Sequence, residues 1–217
     1  MEKLDGKKIK ICVFISGRGT NLKSLINSSK QKKNKIEITL VVSNKRNAKG
    51  LYFAKKNNIK FIIVNYKNKK IAETRILKAL KQNNIELICL AGFMKILSKR
   101  IIKKYKNKIL NIHPSLLPKY KGLNTHKRVI LNKETFTGCT VHIVNFKLDS
   151  GKIILQKKIK VMKKDNEKSL SKRLLKVENK HYPKALKKFI STSLKKKNLF
   201  QFLRFLNCQI HELNFYL

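Results

Sequence analysis

The sequence predicts an α/β fold, with a mostly parallel twisted sheet and helices on both of its faces. In the first half of the 217 residues, short β-branched and apolar runs alternate with longer stretches whose apolar residues recur every three or four positions. In the second half, two β-rich runs follow one another across a short turn. Strands separated by helices favour a parallel sheet covered on both faces, whereas two adjacent strands favour an antiparallel hairpin.

The individual elements follow from this alternation. The run at 9–15 is apolar and β-branched, and the stretch after it carries Leu22, Leu25 and Ile26 on one helical face. The same reasoning applies in turn up to the middle of the chain. We expect strands 9–15, 36–42, 60–64, 87–90 and 108–112, with helices 21–29, 48–57 and 71–83 between the first four.

The rest of the chain predicts a C-terminal antiparallel hairpin followed by a long helix. The two strands span 138–146 and 152–161, and the amphipathic helix spans 169–189. The length fits one domain. We therefore expect one domain at 1–190, with halves at about 1–100 and 101–190, and a tail at 191–217 that is Lys-rich, then apolar, and helical.

The charge of the chain is its most unusual property. The 53 basic and 11 acidic residues give a net charge of +42, which suggests nucleic-acid binding. However, the basic residues are spread along the whole chain, and only seven of the 53 are Arg, the residue preferred for forked recognition of phosphates and bases. We therefore attribute the charge to Lys at tolerant surface positions and expect no specific nucleic-acid partner.

Other whole-chain properties concern the compartment and metals. No apolar run approaches the ~20 residues of a membrane-spanning helix, and the polar N-terminus does not have the pattern of a signal peptide. We expect a cytoplasmic protein with no membrane partner. The four cysteines lack metal-ligand spacing and the five histidines lack an H-E-x-x-H arrangement, so we expect reduced thiols and no metal site.

The first motif is the glycine-containing loop Ser16-Gly17-Arg18-Gly19-Thr20-Asn21, which follows a strand and opens a helix. Glycines let the backbone approach a ligand, and the free N–H groups at a helix start favour an anion. The loop lacks the Lys of a Walker A motif and the third glycine of G-x-G-x-x-G. The loop therefore suggests a site that binds phosphate but not a nucleotide, although a plain turn between a strand and a helix has the same pattern.

The second motif, at 110–118, ends the fifth expected strand. In an extended segment Asn111 and His113 point to the same side, and they emerge at the carboxyl end of a parallel strand, where α/β sheets bind ligands. An amide donor beside an imidazole suits a site that stabilises a developing oxyanion. The alternative is a structural His before a turn.

The third motif is the turn Leu148-Asp149-Ser150-Gly151. An Asp beside Gly is usually a turn residue. Asp149 is also one of only 11 acids, and if it reaches His113 it holds the imidazolium and raises its pKa. Asn111, His113 and Asp149 are therefore the candidate catalytic residues.

Five segments carry a resemblance to a known family, at 15–22, 42–45, 90–98, 111–120 and 148–151. Together they resemble the phosphoribosylglycinamide formyltransferases, folate-dependent enzymes of purine synthesis, over about residues 9–189. The resemblance implies the Rossmann-like formyltransferase fold. It also implies transfer of a formyl group from 10-formyltetrahydrofolate to the amine of 5′-phosphoribosylglycinamide, which gives phosphoribosyl-N-formylglycinamide and tetrahydrofolate.

The resemblance also implies roles for individual residues. His113 would be the general acid, Asp149 its partner and Asn111 a donor near the formyl group. The N-terminal half would hold phosphate, and the C-terminal half the folate. The expected acceptor-binding residues are Gly19, Thr20, Asn21 and Glu178. The expected folate-binding residues are Lys70, Met94, Lys95, Ile96, Leu97, Asn111, Asn145, Phe146, Lys147, Leu148 and Asp149.

Two residues depart from the family pattern. Lys70 stands where some members have an Arg that contacts folate, and Asn124 replaces a frequent His, although His126 remains. Beyond about residue 191 the chain does not match. We expect small-molecule substrates, no metal, and a monomer or weak homodimer.

Three alternatives stay open at this point. Methionyl-tRNA formyltransferases carry a further C-terminal domain and formyltetrahydrofolate hydrolases a further N-terminal one, and we expect neither here. The third alternative is a basic nucleic-acid-binding protein without catalysis. The presence of Asn111, His113 and Asp149 together argues against it.

Overall fold

The computed structural model describes residues 8–31 and 34–213, with side chains as far as residue 193. Seven strands form one sheet. The strands are β1 (Ile9–Ile15), β2 (Ile36–Ser43), β3 (Lys60–Ile63), β4 (Leu87–Leu90), β5 (Ile109–His113), β6 (Phe136–Ile143) and β7 (Ile153–Lys160). The helices are α1 (Thr20–Ser29), α2 (Leu51–Lys56), α3 (Lys69–Gln82), α4 (Lys99–Lys104), α5 (Thr125–Leu131) and α6 (Glu167–Leu213).

The strand order across the sheet is β3-β2-β1-β4-β5-β6-β7. The first five strands of the chain are parallel to one another, whereas β6 pairs antiparallel with both β5 and β7. The expected fold class, a mostly parallel sheet with a C-terminal antiparallel hairpin and a long helix, is thus confirmed. The strands before β4 are added to one side of β1, and β4 and the later strands are added to the other side. In α/β sheets, ligands bind at the carboxyl edge beside such a reversal of strand order.

Two hydrophobic layers cover the sheet, because successive side chains of a strand point to opposite faces. On one face Val13 packs in a cluster with Leu22 of α1 and Tyr182 of α6. On the other face Phe14 packs in a cluster with Ile76 of α3. All five side chains are fully buried. The end of β1 is therefore held from both sides, and the loop after it starts from a rigid point.

The sequence did not predict α4 and α5, which have six and seven residues. Helices this short span fewer than two turns and give only a weak apolar periodicity. The equally short α2 was expected, at the longer span 48–57. The boundary of β5 also differs from the expected 108–112. This strand ends at His113, which places the imidazole on the last residue of a sheet strand.

The last helix is longer than the expected 169–189. It begins at Glu167, where Asn166 Oδ1 accepts the Ser169 N–H at 2.9 Å and Ser169 Oγ accepts the Asn166 N–H at 3.0 Å. This reciprocal pair is a capping arrangement that fixes the first turn. The helical backbone continues to Leu213. The division into a domain at 1–190 and a tail at 191–217 stays a prediction, because the tail side chains from 194 lie outside the described ones.

Two whole-chain expectations concern membranes and thiols. Within the part of the chain that is described, no helix is long and apolar enough to cross a membrane. Cys12, Cys89 and Cys139 are free and buried. Burial raises the pKa of the Cys89 thiol to about 12, so this group stays a thiol. The side chain of Cys208 lies outside the described residues.

Candidate active site

Four polar side chains converge at the carboxyl edge of the sheet. Asn111 and His113 lie on β5, and His142 lies opposite Asn111 in the antiparallel register of β6. Asn111 Nδ2 is 3.3 Å from His142 Nε2. Asp149 Oδ2 is 3.3 Å from His113 Nδ1, and Asp149 Oδ1 is 3.6 Å from His142 Nε2. The structure thus brings Asn111, His113 and Asp149 together, with the carboxylate between two imidazoles.

The Asp149 carboxylate is buried and held by the backbone. Its residue adopts a left-handed φ of 44° in the loop between β6 and β7, and Oδ2 accepts the N–H of Gly122 at 2.9 Å. Burial by itself raises the pKa of Asp149, but His142, the Gly122 N–H and the interaction with His113 together lower it below its usual value. The group is therefore an ionised carboxylate at neutral pH.

The pKa of His113 results from opposing effects. Burial lowers the pKa of His113 below its usual value. The Tyr120 carbonyl oxygen, 2.8 Å from Nε2, and Asp149 both raise the pKa, but they do not fully compensate for burial. Asp149 therefore acts in the expected direction, yet the imidazole is largely neutral near pH 7, because removing a charge from water is costly.

A second buried carboxyl group lies beside the glycine-containing loop. Asn21, on the first turn of α1, donates from Nδ2 to Glu178 Oε2 of α6 at 2.8 Å. Burial raises the pKa of Glu178 to about 7, although this hydrogen bond and the charge of Arg18 act in the opposite direction. Glu178 is therefore divided between its acid and carboxylate forms at neutral pH. The acceptor-binding residues expected from two distant segments are thus in direct contact.

The loop before α1 requires glycine for two reasons. Gly19 has a left-handed φ of 72°, which L side chains rarely adopt. A Cβ at Gly19 would also lie 2.4 Å from the Cα of Gly50. Thr20 then begins the ten-residue α1, whose first N–H groups are free for an anion. The expected phosphate loop therefore has the geometry of an anion site, and its role stays a prediction.

The expected folate-binding segment after β4 lies in the loop between β4 and α4. Met94 donates its backbone N–H to Ser16 Oγ at 2.8 Å, which ties this loop to the end of β1. The side chains of Met94 and Ile96 are 59% and 69% exposed. Leu97 is buried, so only its backbone is available to a ligand. Lys95 is exposed between them.

The second expected folate-binding segment precedes Asp149. Asn145, Phe146, Lys147 and Leu148 are all exposed, with Phe146 at 61% and Leu148 at 54%. Their exposure leaves these side chains accessible to a ligand, and their folate-binding role stays a prediction. Lys70 is exposed in the first turn of α3.

Comparisons with known proteins agree with this geometry. The family model described as formyl transferase matches residues 9–186. The chain belongs to the formyl transferase family. A phosphoribosylglycinamide formyltransferase of Haemophilus influenzae is 39% identical over 197 residues, which cover 89% of this chain and 93% of that protein. The crystal structure of phosphoribosylglycinamide formyltransferase from Brucella melitensis has a TM-score of 0.80 at 40% identity, covering 84% of this chain and 96% of that one.

Longer relatives contain the same unit as one part. The trifunctional purine biosynthetic protein adenosine-3 of Gallus gallus is 44% identical over 187 residues, which cover 85% of this formyl transferase and 19% of that protein. The chain thus spans about a fifth of the length of this trifunctional relative.

The sequence did not single out His142, although it lies within 4 Å of two expected site residues. A signal existed, because the expected strand 138–146 contains one His. Its partner, however, depends on the register with β5, which a sequence does not display. Among the described residues of this formyl transferase, no group of three or more His, Cys, Asp or Glu side chains has the arrangement of a metal site.

Proposed function

We propose that the chain transfers the formyl group of 10-formyltetrahydrofolate to the amine of 5′-phosphoribosylglycinamide in purine biosynthesis. The observation that carries the proposal is the cluster of Asn111, His113 and Asp149 at the carboxyl edge, on the fold of a formyl transferase. Relatives named phosphoribosylglycinamide formyltransferase support the choice of acceptor. A cytoplasmic location, and action as a monomer or weak homodimer, are part of the proposal.

In this proposal the substrates occupy neighbouring parts of one edge. The phosphate of the acceptor binds at the first turn of α1, near Gly19 and Thr20, because free N–H groups there favour an anion. Asn21 and Glu178 bind the rest of the acceptor. The exposed apolar side chains of Met94, Ile96, Phe146 and Leu148 pack against the folate.

The reaction forms one C–N bond, breaks another and moves one proton. The neutral amine attacks the formyl carbon, and the Asn111 amide stabilises the oxyanion of the tetrahedral intermediate. The attacking nitrogen then loses a proton, and the leaving folate nitrogen gains one as its bond to the formyl carbon breaks. A water molecule relays this proton between the two substrate nitrogens, because both ring nitrogens of His113 face protein acceptors, Asp149 and the Tyr120 carbonyl. When His113 is protonated, its charge adds to the stabilisation of the oxyanion, and Asp149 stabilises that imidazolium.

The direct test mixes the protein with phosphoribosylglycinamide and 10-formyltetrahydrofolate and follows tetrahydrofolate release by absorbance. Acceptor-dependent release is the expected result. Release without the acceptor would indicate a hydrolase, and absence of release from folded protein would contradict the proposal. His113→Ala should reduce turnover ~100-fold or more, because one catalytic group contributes about this factor. His181→Ala is the matched control, because this imidazole bonds only to the Val177 carbonyl of its own helix, at 2.8 Å.

A further inference from the structure

The imidazole of His113 lies between two hydrogen-bond acceptors. Its Nδ1 is 3.3 Å from Asp149 Oδ2, and its Nε2 is 2.8 Å from the carbonyl oxygen of Tyr120. A neutral imidazole has one N–H, whereas an imidazolium has two. Only the protonated ring can donate to both acceptors at once. The Tyr120 carbonyl is therefore placed to receive the second N–H at the moment when His113 carries a proton.

The backbone of Tyr120 adopts an uncommon conformation. Its φ is 57°, in the left-handed region that a bulky residue rarely occupies. Such a conformation persists only where the surrounding structure determines it. This φ sets the direction of the peptide groups on either side of Tyr120, including the carbonyl that faces His113.

The side chain of Tyr120 provides the support. Its hydroxyl donates to Glu134 Oε1 at 2.8 Å and accepts from Asn132 Nδ2 at 2.9 Å. The guanidinium of Arg128 lies over the ring at 5.1 Å from its centroid and donates to the Lys121 carbonyl at 2.7 Å. Three residues from α5 and the turn after it thus hold Tyr120 on the side away from His113.

The segment between His113 and Tyr120 is tied down as well. Ser115 Oγ donates to the Lys119 carbonyl at 2.7 Å, and Thr140 Oγ1 donates to the Ser115 carbonyl at 2.6 Å. Both Ser115 and Thr140 are fully buried. The loop therefore has little freedom, and the anchor of the Tyr120 side chain determines where the last carbonyl points.

We propose that Tyr120 is a positioning residue for His113. Its backbone carbonyl holds the Nε2–H of the imidazole, and its hydroxyl, anchored on Glu134, keeps that carbonyl in place. The expected effect of Tyr120 on turnover rests on the proposed formyl transfer, whereas its hydrogen bond to the imidazole does not depend on that reaction. Orientation of a catalytic group by a neighbour that never contacts substrate is a common device in enzyme sites.

The electrostatic consequence has a definite sign. The groups that face His113 are Asp149 from the β6–β7 loop, His142 from β6, and Arg128 and His126 from α5. The carbonyl of Tyr120 raises the pKa of His113, as does Asp149, while burial, His142 and Arg128 lower it. Loosening the carbonyl should therefore lower the pKa of His113 further.

The test is Tyr120→Phe, which removes the hydroxyl anchor and keeps the ring. Nitrogen NMR shifts of His113, assigned with His113→Ala, should show a lower pKa and a less uniform tautomer. We expect kcat to fall about tenfold, as for a small displacement of a catalytic group, with both KM values nearly unchanged. Tyr105→Phe is the matched control, because it also removes a hydrogen-bonded tyrosine hydroxyl, 3.2 Å from the Ile85 carbonyl and outside the site.

Variants of Glu134 test the anchor independently of Tyr120. Glu134→Ala should reproduce the NMR and kcat changes, whereas Glu134→Gln keeps an acceptor oxygen and should restore most of the turnover. Lys119→Met breaks only the exposed ion pair with Glu134, at 2.8 Å, and should leave the titration of His113 unaltered. The double variant Tyr120→Phe with Glu134→Ala should be no worse than either single one, because both remove the same hydrogen bond.

Three outcomes would overturn the proposal. One is an unaltered His113 titration and tautomer in Tyr120→Phe, whatever the turnover. Another is a Tyr120→Phe protein that differs from wild type no more than Tyr105→Phe does. If Tyr120→Phe does not fold, an unaltered His113 titration in Glu134→Ala decides against the proposal. Failure of the formyl-transfer assay itself would refute the proposed reaction, and the NMR titration would still decide whether Tyr120 holds the ring.

Discussion

Asp149 and Glu178 are two buried carboxyl groups with opposite shifts in pKa. They are 9% and 8% exposed, and burial raises the pKa of both. The pKa of Asp149 nevertheless lies below its usual value, whereas that of Glu178 is raised to about 7. The exposed fraction by itself therefore does not determine the charge of either group.

The difference lies in what faces each carboxyl group. Asp149 has two imidazoles and a backbone N–H as neighbours, at 2.9 to 3.6 Å. Glu178 accepts from the amide of Asn21, and the charge of Arg18 also lowers its pKa. Around Asp149 these neighbours outweigh burial, whereas around Glu178 burial outweighs the neighbours. Asp149 is therefore suited to stabilising a positive charge, whereas Glu178 changes its charge near neutral pH.

The largest expected effect on turnover comes from removing the charge of Asp149. Asp149→Asn keeps the size of the side chain and removes its charge, so the imidazolium of His113 loses its partner. We expect kcat to fall by ~100-fold or more, a typical loss for an orienting carboxylate. Steady-state kinetics measure it. Asp165→Asn is the control, because Asp165 pairs with Arg173 outside the site. Near wild-type turnover of Asp149→Asn would show that its charge has no catalytic role.

The intermediate effect concerns stability and its dependence on pH. A carboxyl group with a raised pKa binds a proton in the folded state but not in the unfolded state between the usual value of 4.5 and about 7. Wild-type stability, relative to Glu178→Gln, should therefore decrease as pH rises through this window, by up to ~3 kcal/mol. Urea unfolding of both proteins at pH 5 and pH 8 measures it.

The pH dependence due to Asp149 should have the opposite sign and should lie at lower pH, so wild type and Asp149→Asn are compared by urea unfolding at pH 5 and at about pH 3. Because the pKa of Asp149 is lowered, its stabilising contribution is present above its usual value of 3.8 and is lost as pH falls through the folded value. Identical pH profiles for the Asp149→Asn and Glu178→Gln differences would contradict the comparison on which both predictions rest.

The smallest expected effect lies outside both carboxyl sites. Lys70 is exposed at the start of α3, where Lys replaces an expected Arg. An Arg offers a forked donor to a carboxylate, so Lys70→Arg should lower the KM for the folate donor by about twofold and leave kcat alone. Lys69→Arg, one residue earlier, is the control. Equal KM values for the two variants would remove Lys70 from the folate site.

Much of the fold was predictable because it depends on short-range patterns. The apolar runs of β1 and β4 are buried on both faces and therefore stand out without reference to any partner. The short helices α4 and α5 were not predicted, because a helix of two turns or fewer gives only a weak apolar periodicity. α5 supplies Arg128, which stacks on Tyr120, so this part of the site was hidden together with the helix.

The site divides in the same way. The sequence by itself determined which chemical groups are present, and it indicated Asn111 and His113 together because residues two apart on a strand share a side. Only the tertiary structure decided that His142 and Asp149 join them, that Asn21 meets Glu178 across 157 positions, and that the Tyr120 carbonyl faces the imidazole. Tertiary structure also decided the charges, since a pKa depends on burial and on neighbours that are distant in the chain.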